Sequence, residues 1–346
     1  VSGQVHQVSD ELLSSLREVI EQDGVTNTQR ALLISLLKTV RDMAKPQTDV
    51  WDLKIADAAL AEMVDAFEVF RPYRHVPKLT MFGSARTLPH DPIYTLAVEL
   101  AAQVAEDGWM VITGAGPGIM EAGIEGAGPD RSFGVNILLP FEQGANSLIA
   151  LDPKLIEMRY FFTRKLMMIK ESDAYAVLPG GYGTLDEAFE LLTLLQTGKA
   201  QPAPLVLVEV AGGTYWGGWE RFVNEQALAG GYVSPEDDSL YRIVNSVDEA
   251  MEEIHGFYRN YHSIRMVGST MIIRMKQLPS PAELKAINVE FADIVLTGTI
   301  RPTEPMGPER SSNDNLELER LSLRFNLMHF GRLRQLINRL NEVTGS

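Results

Sequence analysis

Ala174-Tyr175-Ala176-Val177-Leu178-Pro179-Gly180-Gly181-Tyr182-Gly183-Thr184-Leu185-Asp186-Glu187 runs from an unbroken apolar segment, through a glycine-rich turn, into a stretch with helical spacing. A short apolar run bounded by Pro and Gly reads as a strand buried on both faces, the habit of parallel sheets. The same grammar extends upstream. Residues 77–83 read as a strand entering a Gly-Ser-Ala-Arg loop, 92–106 as a helix, and 109–113 as a strand. The turn Gly114-Ala115-Gly116-Pro117-Gly118 then opens a helix through Gly126. Residues 133–139 read as a strand and 153–170 as a helix. Downstream, 205–210 is a strand, 216–228 a helix, 241–245 a short last strand and 247–262 a helix. Strands alternating with helices predict an α/β fold, a Rossmann-like doubly wound parallel sheet. Ligands in such sheets bind beyond the carboxyl ends of the strands, where both glycine turns fall.

The flanks have a different pattern. Leu12, Leu13, Leu16, Val19 and Ile20, then Leu32, Leu33, Leu36 and Leu37, recur at steps of three and four, which predicts helices over 9–44, with a third over 52–70. After Ser263, residues 266–275, 291–300 and 316–325 look β-like, with helices over 281–289 and 330–340. The expected organisation is a helical N-terminal extension over 1–74, a Rossmann-like core over 75–262 and a small α+β appendage over 263–346. Arg332, Arg334 and Arg339 on the last helix read as a solvated basic face.

Composition narrows the function classes. With 31 Lys and Arg against 46 Asp and Glu, the formal net charge is −15, which argues against a general grip on nucleic acid. A locally positive pocket for a small phosphorylated ligand remains compatible. Cysteine is absent, which excludes disulfides, thiolate nucleophiles and Cys-based zinc sites. No apolar run approaches the length of a membrane span, and Val1-Ser2-Gly3-Gln4 opens without a basic stretch and apolar segment. A cytoplasmic protein without membrane attachment is expected, with no metal and no cofactor, since no His/Asp cluster stands out.

Three groups of residues can carry chemistry. Gly114, Gly116 and Gly118 follow a strand and open a helix, so the backbone can approach a phosphate and the helix N-terminus can hold it. Their spacing is not that of a dinucleotide fingerprint, and an acidic ribose-binding residue about 20 positions on is missing. Both absences weigh against an NAD-dependent oxidoreductase; the alternative to phosphate binding is that the glycines merely permit close packing. Gly180, Gly181, Gly183 and Thr184 form the second turn. Thr184 can cap the helix or offer its hydroxyl to a phosphate. Glu187 is expected in the first turn, kept ionised by the helix end, or merely paired with Thr184 in a capping box. Arg164 and Lys165 lie on a helix rich in Phe161, Phe162, Leu166, Met167 and Ile169. Arg159, Lys154 and Lys170 would suit a solvated face, yet an arginine inside so apolar a helix needs an anion, either Glu187 or a ligand phosphate.

Arg164-Lys165, followed fifteen residues after the arginine by Pro-Gly-Gly-x-Gly-Thr-x-x-Glu, resembles the two-part signature of the LONELY GUY (LOG) family. The resemblance runs from about Leu79 to about His262, over half the chain. It implies a Rossmann-like fold and hydrolysis of the N-glycosidic bond of a nucleoside 5′-monophosphate, giving free base and ribose 5-phosphate. The substrates implied are AMP or a cytokinin riboside 5′-monophosphate. It also implies homodimers or higher homo-oligomers with sites near the subunit interface. Carried over by position, Arg164 and Glu187 are the catalytic pair. Gly180, Gly181, Gly183 and Thr184 hold the phosphoribosyl group, Gly114, Gly116 and Gly118 face them, and Ser84, Arg86 and Lys165 line the nucleotide pocket. The older label of lysine decarboxylase finds no support, because no lysine sits in a recognisable pyridoxal-phosphate setting. The chain departs from the plant-type Met-His-x-Arg-Lys in reading Phe161-Phe162-Thr163-Arg164-Lys165, and its extensions are absent from the shortest members. The alternative is a nucleotide-binding or sensing protein without turnover; the intact Arg164/Glu187 pair favours the enzyme.

Overall fold

The computed structural model describes residues 14, 18, 24–138 and 144–343, so most of the first expected helix and the end of the strand expected over 133–139 lie outside the described residues. Helix α1 (Asn27–Met43) opens with a capping box in which Thr26 and Gln29 satisfy each other's backbone N–H groups, and none of its residues is buried. Helix α2 (Val50–Phe70) follows; its later part places Ala66 and Phe70 in a hydrophobic core, with the Phe70 ring 4.5 Å from that of Phe133.

The core is a seven-stranded parallel sheet in the order β4-β3-β2-β1-β5-β6-β7. Its strands are β1 (Lys78–Phe82), β2 (Met110–Thr113), β3 (Ser132–Ile137), β4 (Leu155–Met158), β5 (Ala174–Val177), β6 (Leu205–Val208) and β7 (Arg242–Val244). Strand residues alternate between two cores. Tyr175, Val177, Leu205 and Leu207 join one, while Ala174, Ala176, Val206 and Val208 join the other. Two-sided burial is why these strands read as continuous apolar runs. Helices α3 (Pro92–Glu106), α4 (Ile119–Ala127) and α8 (Val247–Phe257) cover one face. Helices α5 (Phe161–Lys170), α6 (Tyr182–Gln196) and α7 (Tyr215–Phe222) cover the other; a π-helical turn, Val223–Leu228, extends α7. Each fully buried Leu, Ile or Val contributes about 1.5–3 kcal/mol here. The chain reverses its direction of travel across the sheet between β1 and β5, which opens a crevice at their carboxyl ends.

The single helix expected over 153–170 is instead an edge strand and a shorter helix. Residues 155–158 alternate in burial and pair with β3, Gly134 opposite Leu155 and Ile137 opposite Met158. Asp152 turns the chain into this strand, accepting the Lys154 N–H at 2.8 Å. The helix expected over 247–262 ends at Phe257, because Tyr261 and His262 already belong to the next strand.

The C-terminal region is an antiparallel sheet in the order β10-β11-β9-β8, from β8 (Tyr261–Val267), β9 (Thr270–Met275), β10 (Arg301–Pro302) and β11 (Glu319–Leu323). Helices α9 (Pro281–Glu290), α10 (Gly307–Ser312) and α11 (Phe330–Asn341) accompany it. The β-like stretch over 266–275 is a hairpin turned at Gly268, whose φ is +59°. Residues 291–300 form no strand. They make a 3-10 turn, Ala292–Ile294, and one bridge from Val295 to Phe325, while Asn288 takes both backbone groups of Ile300. The arginines of α11 are not a solvated face. Arg334 is buried, paired with Glu253 and lying 4.5 Å over the Phe257 ring, and Arg332 bonds Asp293 at 2.9 Å. No helix among the described residues is long and apolar enough to cross a membrane.

Candidate active site

Three loops meet in the crevice. After β1, the Ser84 N–H donates to Pro179 O at 3.2 Å, and Ser84 O accepts the Ile119 N–H at 3.0 Å, so one residue ties the loops after β1, β2 and β5. Arg86 is exposed, and its N–H donates to the Ser84 hydroxyl at 3.0 Å. After β2 the chain folds tightly against its neighbours. Gly118 has φ +69°, and a Cβ there would sit 2.4 Å from Ser84 O. At Gly114 a Cβ would stand 2.1 Å from Arg164 Nη2, so the glycine is what lets the guanidinium lie against the turn. Ala115, between them, is buried with φ +60°, a conformation costly for a residue with a Cβ. Asn146 holds it there: its side-chain Nδ2 donates to Ala115 O at 3.1 Å and Gly116 O at 3.0 Å. Sequence reasoning missed Asn146, which sits in a loop where no periodicity marks it.

Arg164 lies on the second turn of α5 and is buried. Its Nε donates to Val135 O at 2.8 Å and its Nη1 to Glu187 Oε1 at 2.8 Å, with the two side chains 7% and 13% exposed. A buried arginine thus has the anion that its helix demanded. Among the described residues Oε2 of Glu187 has no hydrogen-bond partner, so that oxygen is available to a ligand. Burial pushes the Glu187 carboxyl above its ordinary value, against the pull of Arg164. Desolvation thus outweighs the opposing pull of Arg164 and Lys165, whereas the sequence suggested a carboxyl held ionised by the helix end.

The second glycine turn is laid out differently from expectation. Helix α6 begins at Tyr182, with Gly181 as an N-cap that offers no side-chain bond, and the capping box between Thr184 and Glu187 is not formed. Thr184 is buried instead, its hydroxyl packed where a Cβ on Gly180 would come within 2.2 Å. The Gly180 carbonyl accepts the Tyr215 hydroxyl at 2.7 Å. Gly181 and Gly183 are exposed, and a Cβ on either would meet nothing within 4 Å. The first N–H groups of a helix have no partner within it, so an uncapped start beside open space suits an anion. Lys165 is buried and turned to α6, pairing with Asp186 and, at 2.8 Å, with Glu190. Burial lowers its pKa, but the two carboxylates outweigh that and raise it overall. The structure thus joins Arg164, Glu187, Gly114, Gly118 and Ser84 through direct contacts, and sets Lys165 against α6. Phe162, in place of the plant-type histidine, is half exposed and stacks on Tyr160 at 5.5 Å. Among the described residues no cluster of three or more His, Asp or Glu could hold a metal.

Residues 115–254 match the family model described as "Possible lysine decarboxylase". The cytokinin riboside 5′-monophosphate phosphoribohydrolase of Mycobacterium tuberculosis is 31% identical over 170 residues, which cover 47% of this chain and 85% of that protein. The chain belongs to the LOG family. A cytokinin riboside 5′-monophosphate phosphoribohydrolase of Arabidopsis thaliana is 32% identical over 101 residues, 29% of this chain and 46% of that protein. Among solved structures, a molybdenum cofactor binding protein from Rippkaea orientalis overlays 51% of this chain and 94% of its own at 19% identity and a TM-score of 0.38. Arg164, Glu187 and the second glycine turn fall inside the matched LOG-family stretch; Ser84, Arg86 and Gly114 precede it.

Proposed function

We propose that the protein is a nucleoside 5′-monophosphate phosphoribohydrolase, with AMP or a cytokinin riboside 5′-monophosphate as substrate. The observation that carries this reading is the buried Arg164–Glu187 pair, 2.8 Å apart, with one carboxylate oxygen free and two glycine turns at the same crevice. Water adds to C1′ of the ribose as the C1′–N bond breaks, and the base leaves with a proton. Positive charge grows on C1′ and the ring oxygen in the transition state. A carboxylate close to C1′ stabilises that charge and orients or deprotonates the water, which is the role we give Glu187. Arg164 holds Glu187 in place and favours its ionised form. Gly180, Gly181, Gly183 and Thr184, with Gly114, Gly116 and Gly118 opposite, anchor the 5′-phosphate, and that remote binding positions the reacting carbon. Ser84 and Arg86 complete the nucleotide pocket, and Lys165, paired with Asp186 and Glu190, steadies the start of α6. The reading places a homodimer or higher homo-oligomer in the cytoplasm, acting on a small molecule. Its likeness to named phosphoribohydrolases supports it.

The test is chromatographic assay of base and ribose 5-phosphate from AMP, the other common nucleoside monophosphates, isopentenyladenine riboside monophosphate and adenosine. Release from phosphorylated substrates alone is expected, with Glu187→Gln lowering kcat on the order of a thousandfold. Equal rates in wild type and variant overturn the role of Glu187. Nucleotide binding without turnover overturns the reaction.

A further inference from the structure

We infer that Glu62 is a positioning residue for Arg164, acting through the first turn of α5; this rests on the hydrolase reading of the Arg164–Glu187 pair. Glu62 lies on α2, ahead of the matched LOG-family stretch, and is 7% exposed. Its two oxygens each accept one bond from the start of α5. Oε1 takes the Arg159 N–H at 2.8 Å, and Oε2 lies 2.7 Å from the Thr163 hydroxyl, which also has Tyr160 O at 2.9 Å as a second, longer acceptor. Among the described residues no cation stands within ion-pair distance of it.

A buried carboxylate without a cation costs free energy that an apolar side chain of the same size avoids, so packing alone does not call for Glu here. What the carboxylate supplies is a pair of acceptors matched to two donors that flank the helix start. Helix α5 has no cap of its own, since Tyr160 at the N-cap makes no side-chain bond. Thr163, bound from outside by Glu62, directly precedes Arg164. A slip of one residue at the helix start would turn every side chain on α5 by about 100°. Arg164 would then lose either Val135 O or Glu187, which it meets together only in the observed phase. Glu62 thus sets the phase of the helix, and Arg164 transmits it to the reacting carboxylate.

The experiment compares Glu62→Leu, Glu62→Gln and Thr163→Val with wild type by AMP kinetics, thermal unfolding and amide hydrogen exchange across residues 159–170. Glu62→Leu should lower kcat on the order of ten- to a hundredfold, with KM changed far less, and speed exchange at the helix start. Glu62→Gln, which keeps an acceptor, should restore most of both, and Thr163→Val should fall between. Wild-type kcat and exchange in Glu62→Leu overturn the proposal, as does a loss confined to KM. If Glu62→Leu does not fold, the same unchanged pair in Thr163→Val overturns it. A wild-type protein that releases no base overturns the hydrolase reading instead, while exchange at 159–164 still judges Glu62.

Discussion

Gly114 leaves no room for a Cβ, because Arg164 Nη2 and Met120 Sδ would stand 2.1 and 2.5 Å from it. Gly114→Ala should therefore displace the guanidinium, lowering kcat and costing about 1–3 kcal/mol of stability, as a fall in Tm alongside the kinetics would show. Glu187 bears on pH. Its carboxyl is raised by burial, so protonation on acidification comes at a higher pH than for an ordinary glutamate. If the carboxylate is the active form, kcat should decline on the acid side from a pH above the usual carboxylate range. The sign is opposite for stability: the folded state binds this proton more tightly than the unfolded chain, so the contribution of Glu187 diminishes as pH rises through its folded pKa. The pairing of Arg164 with an anion was legible, because a guanidinium on a helix that buries Met167 and Ile169 has few other ways to be buried, although Phe161, Phe162 and Leu166 of that helix are exposed. Thr184 was not. The S/T-x-x-E spacing marks a capping box only if the helix starts after the threonine, and this helix starts two residues earlier. Asn146 works through its side-chain amide on a turn 30 residues away, a contact that no local pattern encodes.

Elements were legible wherever burial is two-sided or strictly periodic. Strands β1, β2, β5 and β6 are buried along their length; β5 and β6 show in the sequence as unbroken apolar runs, while β1 carries Lys78 and Thr80 among its apolar residues. β4 is an edge strand of four residues next to a true helix, and its alternation merged with the helical pattern that follows. Residues 291–300 have strand-forming composition, but Asn288 bonds Ile300 as a neighbouring strand would, and Gly298 takes φ +78°. Helix α9 gives a clean test of local signals. Ser280 and Glu283 form a capping box there, and Pro281 holds the first position. Ser280→Ala should cost about 1 kcal/mol, read as a lower Tm, with kcat and KM unchanged because the helix is remote from the crevice.

At the scale of the molecule, the C-terminal sheet rests on an ionic cluster inside its fold. Glu309, fully buried, accepts from Arg274 Nη2 at 2.8 Å and Arg320 Nε at 3.4 Å, and Arg274 also reaches Asp314 at 2.7 Å. Glu309→Ala leaves buried Arg320 without a carboxylate partner among the described residues and Arg274 with Asp314 alone, and should cost about 3–5 kcal/mol, measured by denaturant unfolding. Burial pushes the Glu309 and Asp314 carboxyls up, but the Met306 N–H and Arg274 for the first, and Arg274 and Arg265 for the second, outweigh it and leave both below their ordinary values. Their contribution to stability is thus complete above the unfolded carboxylate range and is lost as pH falls through the folded values. The order of the large sheet also governs when the protein becomes competent as it folds. β1 lies against β5, so Lys78 and Asp173 bond across 95 positions of chain, and a long loop must close before that pairing returns any energy. The helices bearing Arg164 and Glu187 immediately precede and follow β5. A nascent chain can form each helix early, yet the crevice exists only once β5 has docked on β1, so activity regained on refolding should trail helix content and arrive with the slowest long-range step.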